Sequence, residues 1–557
     1  MRTGGELFVD CLIENGVDFF TCVPGESFLP VLDALYDATR GEGGVRLITT
    51  RHEAAAANMV EAAGKLTGRP SVCLVTRGPG ATHASIAVHT AFQDGTPMIL
   101  AVGQIARDMK GRQAFQEVDY GALLGSQAKL VVEITDVDRI PEIVAHAVDV
   151  ATAGRPGPVV LALPEDMLFE QSEARPVRSP ARFGHTASPA DVAHIAEVIA
   201  AAERPLLLVG GPKWSGEAGE RVRAFAERND VPVAAAFRYQ DAIDNRSESY
   251  VGYLGLSCSP ELRARAQEAD LIVALGCRLD DPTTDGFALT PVGRTDHRIV
   301  VVTEDALEVT AALIPDEAVL CTSESLAEGL AGVELAPSAS RSEWLGRLRG
   351  IQERFVVPPP VEGPIDLGRV VGMLRERVGD DAILTNGAGN YTIWLQRFFQ
   401  FRSWGTQLAP HNGAMGYGFP AALAAAALRP DSPVIAFAGD GCFLMAGSEL
   451  ATAVKERLNV VILVLNNGVL GTIRMHQENH YPGRQVATDL LDPDFVRYAE
   501  AFGALGLRVT TTDEFPAALD AALAYDGPAL VELRTDPFQL TPDRRITGVG
   551  DAKETPR

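Results

Sequence analysis

The chain has 557 residues, a formal net charge of −24 and a hydrophobic fraction of 46%. A single hydrophobic core rarely grows beyond roughly 250 residues, so a chain of this length is expected to form several domains. The acidic balance and the lack of any Lys/Arg-rich block exclude nucleic acid as an expected partner, because phosphate backbones are bound by basic surfaces.

The distribution of cysteines and of apolar residues bears on the compartment in which the protein works. The seven cysteines are scattered and show no C-x-x-C spacing, so neither a disulfide framework nor a structural zinc site is expected. Residues 1–30 show no charged leader followed by an apolar run and a cleavage site. The alanine-rich stretch 421–428 is too short to span a bilayer and is predicted to be a buried helix. We therefore expect a cytoplasmic protein with no membrane partner.

Short apolar runs alternate with segments of helical length along the chain, a pattern typical of doubly wound parallel sheets. Two strand-poor linkers rich in proline, serine and charge, at 170–189 and 337–364, divide these runs into three blocks. The sequence thus predicts three α/β domains, at 1–170, 188–336 and 362–557. The predicted strands are 71–76, 97–103 and 158–163 in the first block, 205–210, 271–276 and 298–303 in the second, and 382–386, 433–439, 459–467 and 528–533 in the third.

In the first block, Glu53 stands where a β-rich run, residues 47–50, changes to a helix-forming segment with four alanines, residues 54–57. The sequence places this glutamate in the first turn of a helix at the end of a strand. One interpretation is a glutamate that the helix dipole favours at this position. The other is a catalytic carboxylate, whose small neighbours leave it room to meet a ligand.

In the third block, two neighbouring strand-like runs end in polar residues. The first ends in Gly-Asp-Gly at 439–441 and the second in two asparagines at 466–467, with a predicted helix, 445–458, between them. Both strand ends then lie at one edge of a parallel sheet. The Asp440 carboxylate, the Asn467 amide and the Val469 carbonyl can supply three oxygens to Mg²⁺, which binds about six and takes several from phosphates and water. A lone Gly-Asp-Gly is more often a simple turn.

The Gly-Asp-Gly and Asn-Asn pair resembles the motif of thiamin diphosphate enzymes, and Arg-His-Glu-Ala-Ala-Ala at 51–56 resembles the catalytic glutamate motif of the acetolactate synthase family. Further segments that resemble first-domain landmarks of this family occur in the expected order, at 23–25, 76–83, 114–117 and 154–159. The resemblance extends over nearly the whole chain. It implies that the three domains are pyrimidine-binding, central and diphosphate-binding.

The resemblance also implies thiamin diphosphate and Mg²⁺ as cofactors and assigns roles to individual residues. Glu53 would face N1′ of the aminopyrimidine, Gly413 would accept from its 4′-amino group, and Met415 would force the cofactor into a bent shape. The other residues implied to contact the cofactor are Gly387, Gly389, Asn390, Gly441 and Cys442, with backbone amides towards the diphosphate. Because the site of this family forms between two subunits, a homodimer or homotetramer is expected.

The reaction shared by these enzymes is addition of the cofactor to a 2-oxo acid, loss of carbon dioxide and formation of an enamine. Phe115, Gln116 and Arg278 match substrate-side or second-domain residues of acetolactate synthases and favour ligation of the enamine to a second carbonyl compound. His476, a further candidate catalytic residue, lies where plant-type members carry a tryptophan that lines the acceptor pocket, and this departure weakens the case for ligation.

Glu26 lies where pyruvate decarboxylase relatives have an acid beside the substrate. A buried carboxylate at this position could have a raised pKa and protonate the enamine, which would release an aldehyde. A glutamate at the start of a helix is an equally good interpretation of the same residue.

The function expected from the resemblance is therefore thiamin diphosphate- and Mg²⁺-dependent decarboxylation of a small-molecule 2-oxo acid with carboligation. The alternative is a non-oxidative decarboxylase that releases an aldehyde. Residues 300–305 replace the His-Ile-Asp-Ile-Asp strand that helps the family to hold flavin adenine dinucleotide, so binding of this flavin is doubtful. A flavin-dependent oxidase and a catalytically inactive subunit are further alternatives, and the intact Glu53 and metal ligands disfavour the second of these.

Overall fold

The computed structural model describes residues 1–41, 44–291, 293 and 297–546. It comprises two compact units. The first contains residues 1–351 together with 402–407, and the second contains residues 352–401 and the described residues from 408 onward.

The first block folds around a six-stranded parallel sheet of order β3-β2-β4-β5-β7-β6. Every residue of β4, β5 and β7 is buried, as expected for strands covered by helices on both faces. The elements are β1 (Arg2–Thr3), α1 (Gly4–Glu14), β2 (Phe19–Cys22), α2 (Leu29–Ala38), β3 (Arg46–Thr49), α3 (Glu53–Thr67), β4 (Val72–Val75), α4 (Gly78–Asp94), β5 (Met98–Gln104), α5 (Tyr120–Leu124), β6 (Leu130–Glu133), α6 (Ile140–Thr152), β7 (Pro158–Pro164), α7 (Glu165–Phe169) and β8 (Gln171–Ser172).

The second block forms another six-stranded parallel sheet, of order β11-β10-β9-β12-β13-β14. Its core lies in the same compact unit as the first sheet. The elements are α8 (Pro189–Ala201), β9 (Pro205–Val209), α9 (Gly216–Asn229), β10 (Val233–Ala235), β11 (Tyr250–Tyr253), α10 (Pro260–Ala266), β12 (Leu271–Leu275), α11 (Asp281–Thr284), β13 (Arg298–Thr303), β14 (Glu317–Leu320), α12 (Ser323–Leu330) and α13 (Ala339–Phe355).

The third block contains a sheet of order β16-β15-β17-β18-β20-β19, in which the last five strands run parallel. The alanine-rich α16 is buried almost throughout, as predicted. The elements are α14 (Leu367–Arg377), β15 (Ile383–Asn386), α15 (Tyr391–Phe398), β16 (Gln407–Leu408), α16 (Gly418–Leu428), β17 (Val434–Gly439), α17 (Asp440–Leu444), α18 (Leu450–Lys455), β18 (Val461–Asn466), α19 (Gly471–His480), α20 (Phe495–Phe502), β19 (Leu505–Val509), α21 (Phe515–Ala524), β20 (Ala529–Arg534), β21 (Gln539–Thr541) and β22 (Arg544–Arg545).

The predicted fold class, three doubly wound parallel sheets, is confirmed. Every predicted strand is present with ends shifted by at most a few residues. The helix predicted over 445–458 is wrong in extent. Ala446 adopts a non-helical φ of −132°, so a separate turn, Gly447–Glu449, precedes α18. The chain instead turns into a helix directly after β17, at Asp440.

The two predicted linkers contain regular structure. In the first, β8 pairs antiparallel with β1. In the second, α13 places Trp344, Leu348 and Ile351 in the core of the second block. The apolar residues of α13 are spaced along a mostly polar helix, which is why its composition resembles that of a linker.

The structure shows the state of the cysteines and the lengths of the helices. All seven cysteines are free and buried. Within the described parts of the chain, no helix has both the length and the apolar character needed to cross a membrane.

Candidate active site

Glu53 is the first residue of α3, as predicted, and β3 ends shortly before it. His52 caps the helix, because its Nδ1 accepts a hydrogen bond from the Ala54 amide at 3.1 Å. The Glu53 side chain is only 13% exposed, and its Oε2 lies 2.9 Å from Nδ1 of His83 on α4. A carboxylate shielded from water, with an imidazole as its neighbour, is a suitable group for moving protons.

Glu26 does not have the burial that was expected of an acid beside a substrate. It begins a short 3₁₀ turn, Glu26–Phe28, and its side chain is 68% exposed. Ser27 and Phe28 point inward instead. Arg77 lies 3.6 Å from the Glu26 carboxylate and also pairs with Glu165. The expectation of a buried carboxylate at Glu26 is wrong for the single subunit, whereas the helix-start interpretation fits its position.

Gln116 has an unsatisfied polar atom. Its Oε1 is buried and receives no hydrogen bond from the described residues. Its backbone has a positive φ of 65°, and its carbonyl accepts from the Gly78 amide at 3.2 Å, so the side chain is held beside the start of α4. Phe115, next to it, is exposed. A buried acceptor without a donor is costly, which favours a ligand or another chain as its partner.

Asp440 and Asn467 follow neighbouring parallel strands, as predicted, because Gly439 of β17 pairs with Leu465 of β18. Asp440 is 3% exposed. Its Oδ2 accepts from the amides of Asn467 at 3.0 Å and Gly468 at 2.8 Å. Burial raises the pKa of this carboxyl.

Val469 completes the predicted set of three oxygen donors. Its amide donates to the Asn467 side-chain oxygen at 3.1 Å, which folds the loop back on itself. Its carbonyl accepts from the Gly471 amide at 2.9 Å and keeps a second lone pair for a ligand. Asp440, Asn467 and Val469 line one cavity of about 230 Å³ in the second compact unit.

Most of the residues predicted to contact the cofactor meet at this same cavity. Met415, which is partly exposed, follows Gly413, whose φ is 68°. The predicted residues that line the cavity, apart from the three metal-ligand candidates, are Gly389, Asn390, Gly413, Met415 and Cys442. Gly387 and Gly441 lie beside the cavity lining: a Cβ on Gly387 would come within 2.6 Å of Cys442 Sγ, and the Gly441 amide donates to Asp440 Oδ1 at 2.6 Å.

Besides Gly441, two more of the residues whose amides were predicted to hold a diphosphate already have amide partners within the chain. The Gly387 amide donates to the Tyr391 hydroxyl at 3.1 Å, and the Asn390 amide donates to Thr472 Oγ1 at 2.9 Å. The Tyr391 hydroxyl in turn donates to Cys442 Sγ at 3.1 Å. Burial raises the pKa of the Cys442 thiol. These contacts fix the shape of the cavity wall, although the sequence shows no sign of the Tyr391–Cys442 pair.

His476 is on α19 but does not line the cavity. Its side chain is exposed, and the residues of α19 that line the cavity are Gly471, Thr472 and Ile473. The sequence associated His476 with the site because it lies where plant-type members of the family carry a tryptophan. A helix presents only some of its residues to one side, so the first turn reaches the cavity and His476 does not.

Asp492 is an acidic neighbour of Asp440 that sequence reasoning missed. Burial and the Asp440 charge raise the pKa of the Asp492 carboxyl to about 6. Neither of its oxygens receives a hydrogen bond from the described residues. Two close carboxyls repel each other unless a proton or a cation lies between them, so the donor set fits a hard divalent cation. Asp492 and Pro493 form an ordinary Asp-Pro turn sequence, which contains no metal signal.

The second block has a cavity of its own, of about 280 Å³, at the ends of β12 and β13. The Arg278 guanidinium that matched the family there is engaged with Glu308, through bonds of 2.9 and 2.6 Å. Lys213 in the same cavity pairs with Glu304. Acidic residues thus already pair with Arg278 and Lys213, and the expectation that flavin binding is doubtful stays a prediction.

Comparisons with known proteins agree with this geometry. Three family models match the chain: the N-terminal TPP binding domain of thiamine pyrophosphate enzymes over residues 2–123, the central domain over 192–330 and the C-terminal TPP binding domain over 387–533.

Individual relatives match over nearly the whole chain. The acetolactate synthase large subunit of Parasynechococcus marenigrum is 33% identical over 545 residues, covering 95% of this chain and 87% of that protein. The large subunit from Corynebacterium glutamicum is 33% identical, with 95% and 86% covered. The probable acetolactate synthase large subunit of Methanocaldococcus jannaschii is 30% identical, with 97% and 93% covered.

Proposed function

Because the chain belongs to the thiamine pyrophosphate enzyme family, in the branch that resembles acetolactate synthases, we propose that it decarboxylates a 2-oxo acid and ligates the product to a second carbonyl compound. The observation that carries this proposal is the cavity where Asp440 and Asn467, at the ends of two parallel strands, meet Met415. Its donor set fits a diphosphate held through a divalent cation.

Different residues of the chain would have different roles in the proposed reaction. Asp440, Asn467 and Val469 would hold Mg²⁺, and Met415 would orient the bound cofactor. Thiamin diphosphate, when bound, supplies the electron sink for the carbon that loses carbon dioxide. Glu53 would hold and return the proton at N1′ of the aminopyrimidine, since it is shielded from water and hydrogen-bonded.

The similarity to acetolactate synthases and the buried, unsatisfied Gln116 oxygen support ligation over aldehyde release. Gln116 retains a buried acceptor that a hydroxyl or amide donor of a ligand could satisfy. The flavin has no part in the proposed reaction.

Product analysis tests the proposal. The protein would be incubated with thiamin diphosphate, Mg²⁺ and a panel of 2-oxo acids, with no flavin added, and with matched samples lacking either cofactor. We expect carbon dioxide and an acetohydroxyacid, such as acetolactate from pyruvate. Aldehyde as the sole product would support the alternative decarboxylase, and the absence of turnover with every 2-oxo acid would contradict both.

We also propose that the protein is a homodimer or homotetramer whose sites are shared between subunits. The test uses two variants, Glu53→Gln and Asp440→Asn, each altered in a different half of the site and each almost inactive at cofactor and Mg²⁺ concentrations that just saturate the wild type. Random mixing of unfolded and refolded subunits makes about half of the dimers hybrid, and each hybrid has one intact site. We therefore expect about a quarter of wild-type activity in the mixture.

The control for the mixing experiment is each variant unfolded and refolded alone, which should stay inactive. Light scattering of the same samples reports the oligomeric state. A mixture that remains as inactive as its two components, although hybrids are detected, would contradict the shared site.

A further inference from the structure

His83 lies between the candidate catalytic carboxylate, that of Glu53, and the surface of the first block. It is on α4, which packs against α3, and its Nδ1 lies 2.9 Å from Oε2 of Glu53. The two side chains differ in exposure, because Glu53 is 13% and His83 is 53% exposed. Within the single subunit, the imidazole is therefore the more exposed member of a hydrogen-bonded pair whose carboxylate is shielded.

A second imidazole holds His83 in place. The His52 ring stacks on the His83 ring, with centroids 4.7 Å apart and an angle of 29° between the planes. His52 is itself held as the cap of α3 by the Ala54 amide. Packing on one face and a hydrogen bond at one edge favour a single orientation of the His83 ring, with Nδ1 towards Glu53.

We propose that His83 is a positioning residue that holds Glu53 Oε2 and carries its proton to and from solvent, an inference that rests on the proposed role of Glu53. When Glu53 is protonated, its Oε2–H donates to Nδ1 of the neutral imidazole. Transfer of this proton leaves a carboxylate and an imidazolium, and the proton on Nε2 then passes to water. Uptake of a proton from water uses the same hydrogen bonds in reverse order, and neither transfer involves oxidation or reduction.

The same three residues have the composition of a metal site. The ligand atoms of His52, Glu53 and His83 lie within 4.8 Å of one another. However, Nδ1 of His52 already accepts from the Ala54 amide, and Nδ1 of His83 already faces Glu53. Histidine binds a metal through a nitrogen lone pair, so an ion here would have to use the Nε2 atoms, and metal analysis of the purified protein distinguishes it from the relay.

The test is the rate at which the C2 hydrogen of bound thiamin diphosphate exchanges with deuterium, measured by acid quench and NMR without any substrate. In His83→Ala we expect an exchange rate at least about tenfold below wild type, since a positioned acid or base contributes about 10² to 10⁴. Cofactor affinity, measured by calorimetry, should stay within about threefold, and added imidazole should restore part of the rate in His83→Ala.

Two further variants separate the relay from a structural role. His83→Asn can still hydrogen-bond to Glu53 but cannot carry a proton, so it should exchange slowly as well. His89→Ala, which removes another histidine from α4, should exchange like wild type.

Several results would overturn the inference. These are wild-type exchange in His83→Ala, wild-type exchange in His83→Asn, and a transition metal that copurifies with the protein and is lost in His83→Ala. If the wild-type protein binds no thiamin diphosphate, the proposed function fails and the relay fails with it. Normal binding with unaffected variants overturns the relay alone.

Discussion

Glu53→Gln is expected to lower kcat by about 10² to 10⁴ while the affinity for thiamin diphosphate changes by no more than about threefold. Glutamine has the same shape as glutamate but cannot take or give a proton at neutral pH. We expect the loss of kcat to be specific to Glu53, because its side chain is shielded from water and hydrogen-bonded to His83. Steady-state rates with the best 2-oxo acid and calorimetry with the cofactor measure the two quantities.

Glu142→Gln is the matched control for this prediction. Glu142 is also a first-turn glutamate, on α6, and it is exposed and paired with Arg139. If first-turn glutamates mattered only through the helix dipole, both substitutions would cost about 0.3 to 1 kcal/mol of stability and leave turnover intact. Equal activity in the two variants would therefore refute the catalytic role of Glu53.

Asp440→Asn is expected to weaken thiamin diphosphate binding in the presence of Mg²⁺ by about 100-fold, which is about 2.7 kcal/mol. The substitution removes the only anionic oxygen among the three proposed metal ligands and leaves the side-chain shape almost unchanged. It also places a side-chain NH₂ near the amides of Asn467 and Gly468, which now donate to Asp440 Oδ2. Calorimetric titrations at several Mg²⁺ concentrations measure the loss.

Metal removal should reproduce the effect in the wild-type protein. Dialysis against a chelator is expected to release the cofactor, and Mg²⁺ should restore binding in wild type but only at much higher concentration in Asp440→Asn. Asp494→Asn serves as the control, because Asp494 is nearby in sequence to Asp492 but caps α20. Binding that is insensitive to both the chelator and the Asp440 substitution would exclude the proposed cation site.

The strands were predictable because buried parallel strands read as continuous apolar runs. Every residue of β17 and β18 is buried, so the polar residues after them stood out, and the metal ligand candidates followed from strand ends alone. Strands whose apolar run is short or broken by polar residues, such as β2, β6 and β14, were not predicted. The same local signal failed within residues 445–458, where a non-helical Ala446 interrupts an otherwise periodic segment.

The sequence predicted individual residues of the candidate site but not the contacts between them. Glu53 is at the start of a helix because its immediate neighbours make it so, and the structure agrees. Its contact with His83 joins residues that are 30 positions apart. The Asp492 carboxyl lies beside Asp440, although no sequence motif near Asp492 predicts this contact. One of the two interpretations of Glu26, drawn from its place in a motif, required a buried carboxylate, yet burial depends on what packs over the side chain.

The sequence by itself determined the three parallel sheets, the enzyme family and the residues that end each strand, since apolar periodicity and motif spacing are properties of short stretches of chain. Only the tertiary structure decided that Glu26 is exposed, that Arg278 is neutralised by Glu308, and that His83 meets Glu53. The physical reason is that burial and hydrogen-bond partners come from segments far apart in the chain, and no local pattern encodes which of these segments will meet.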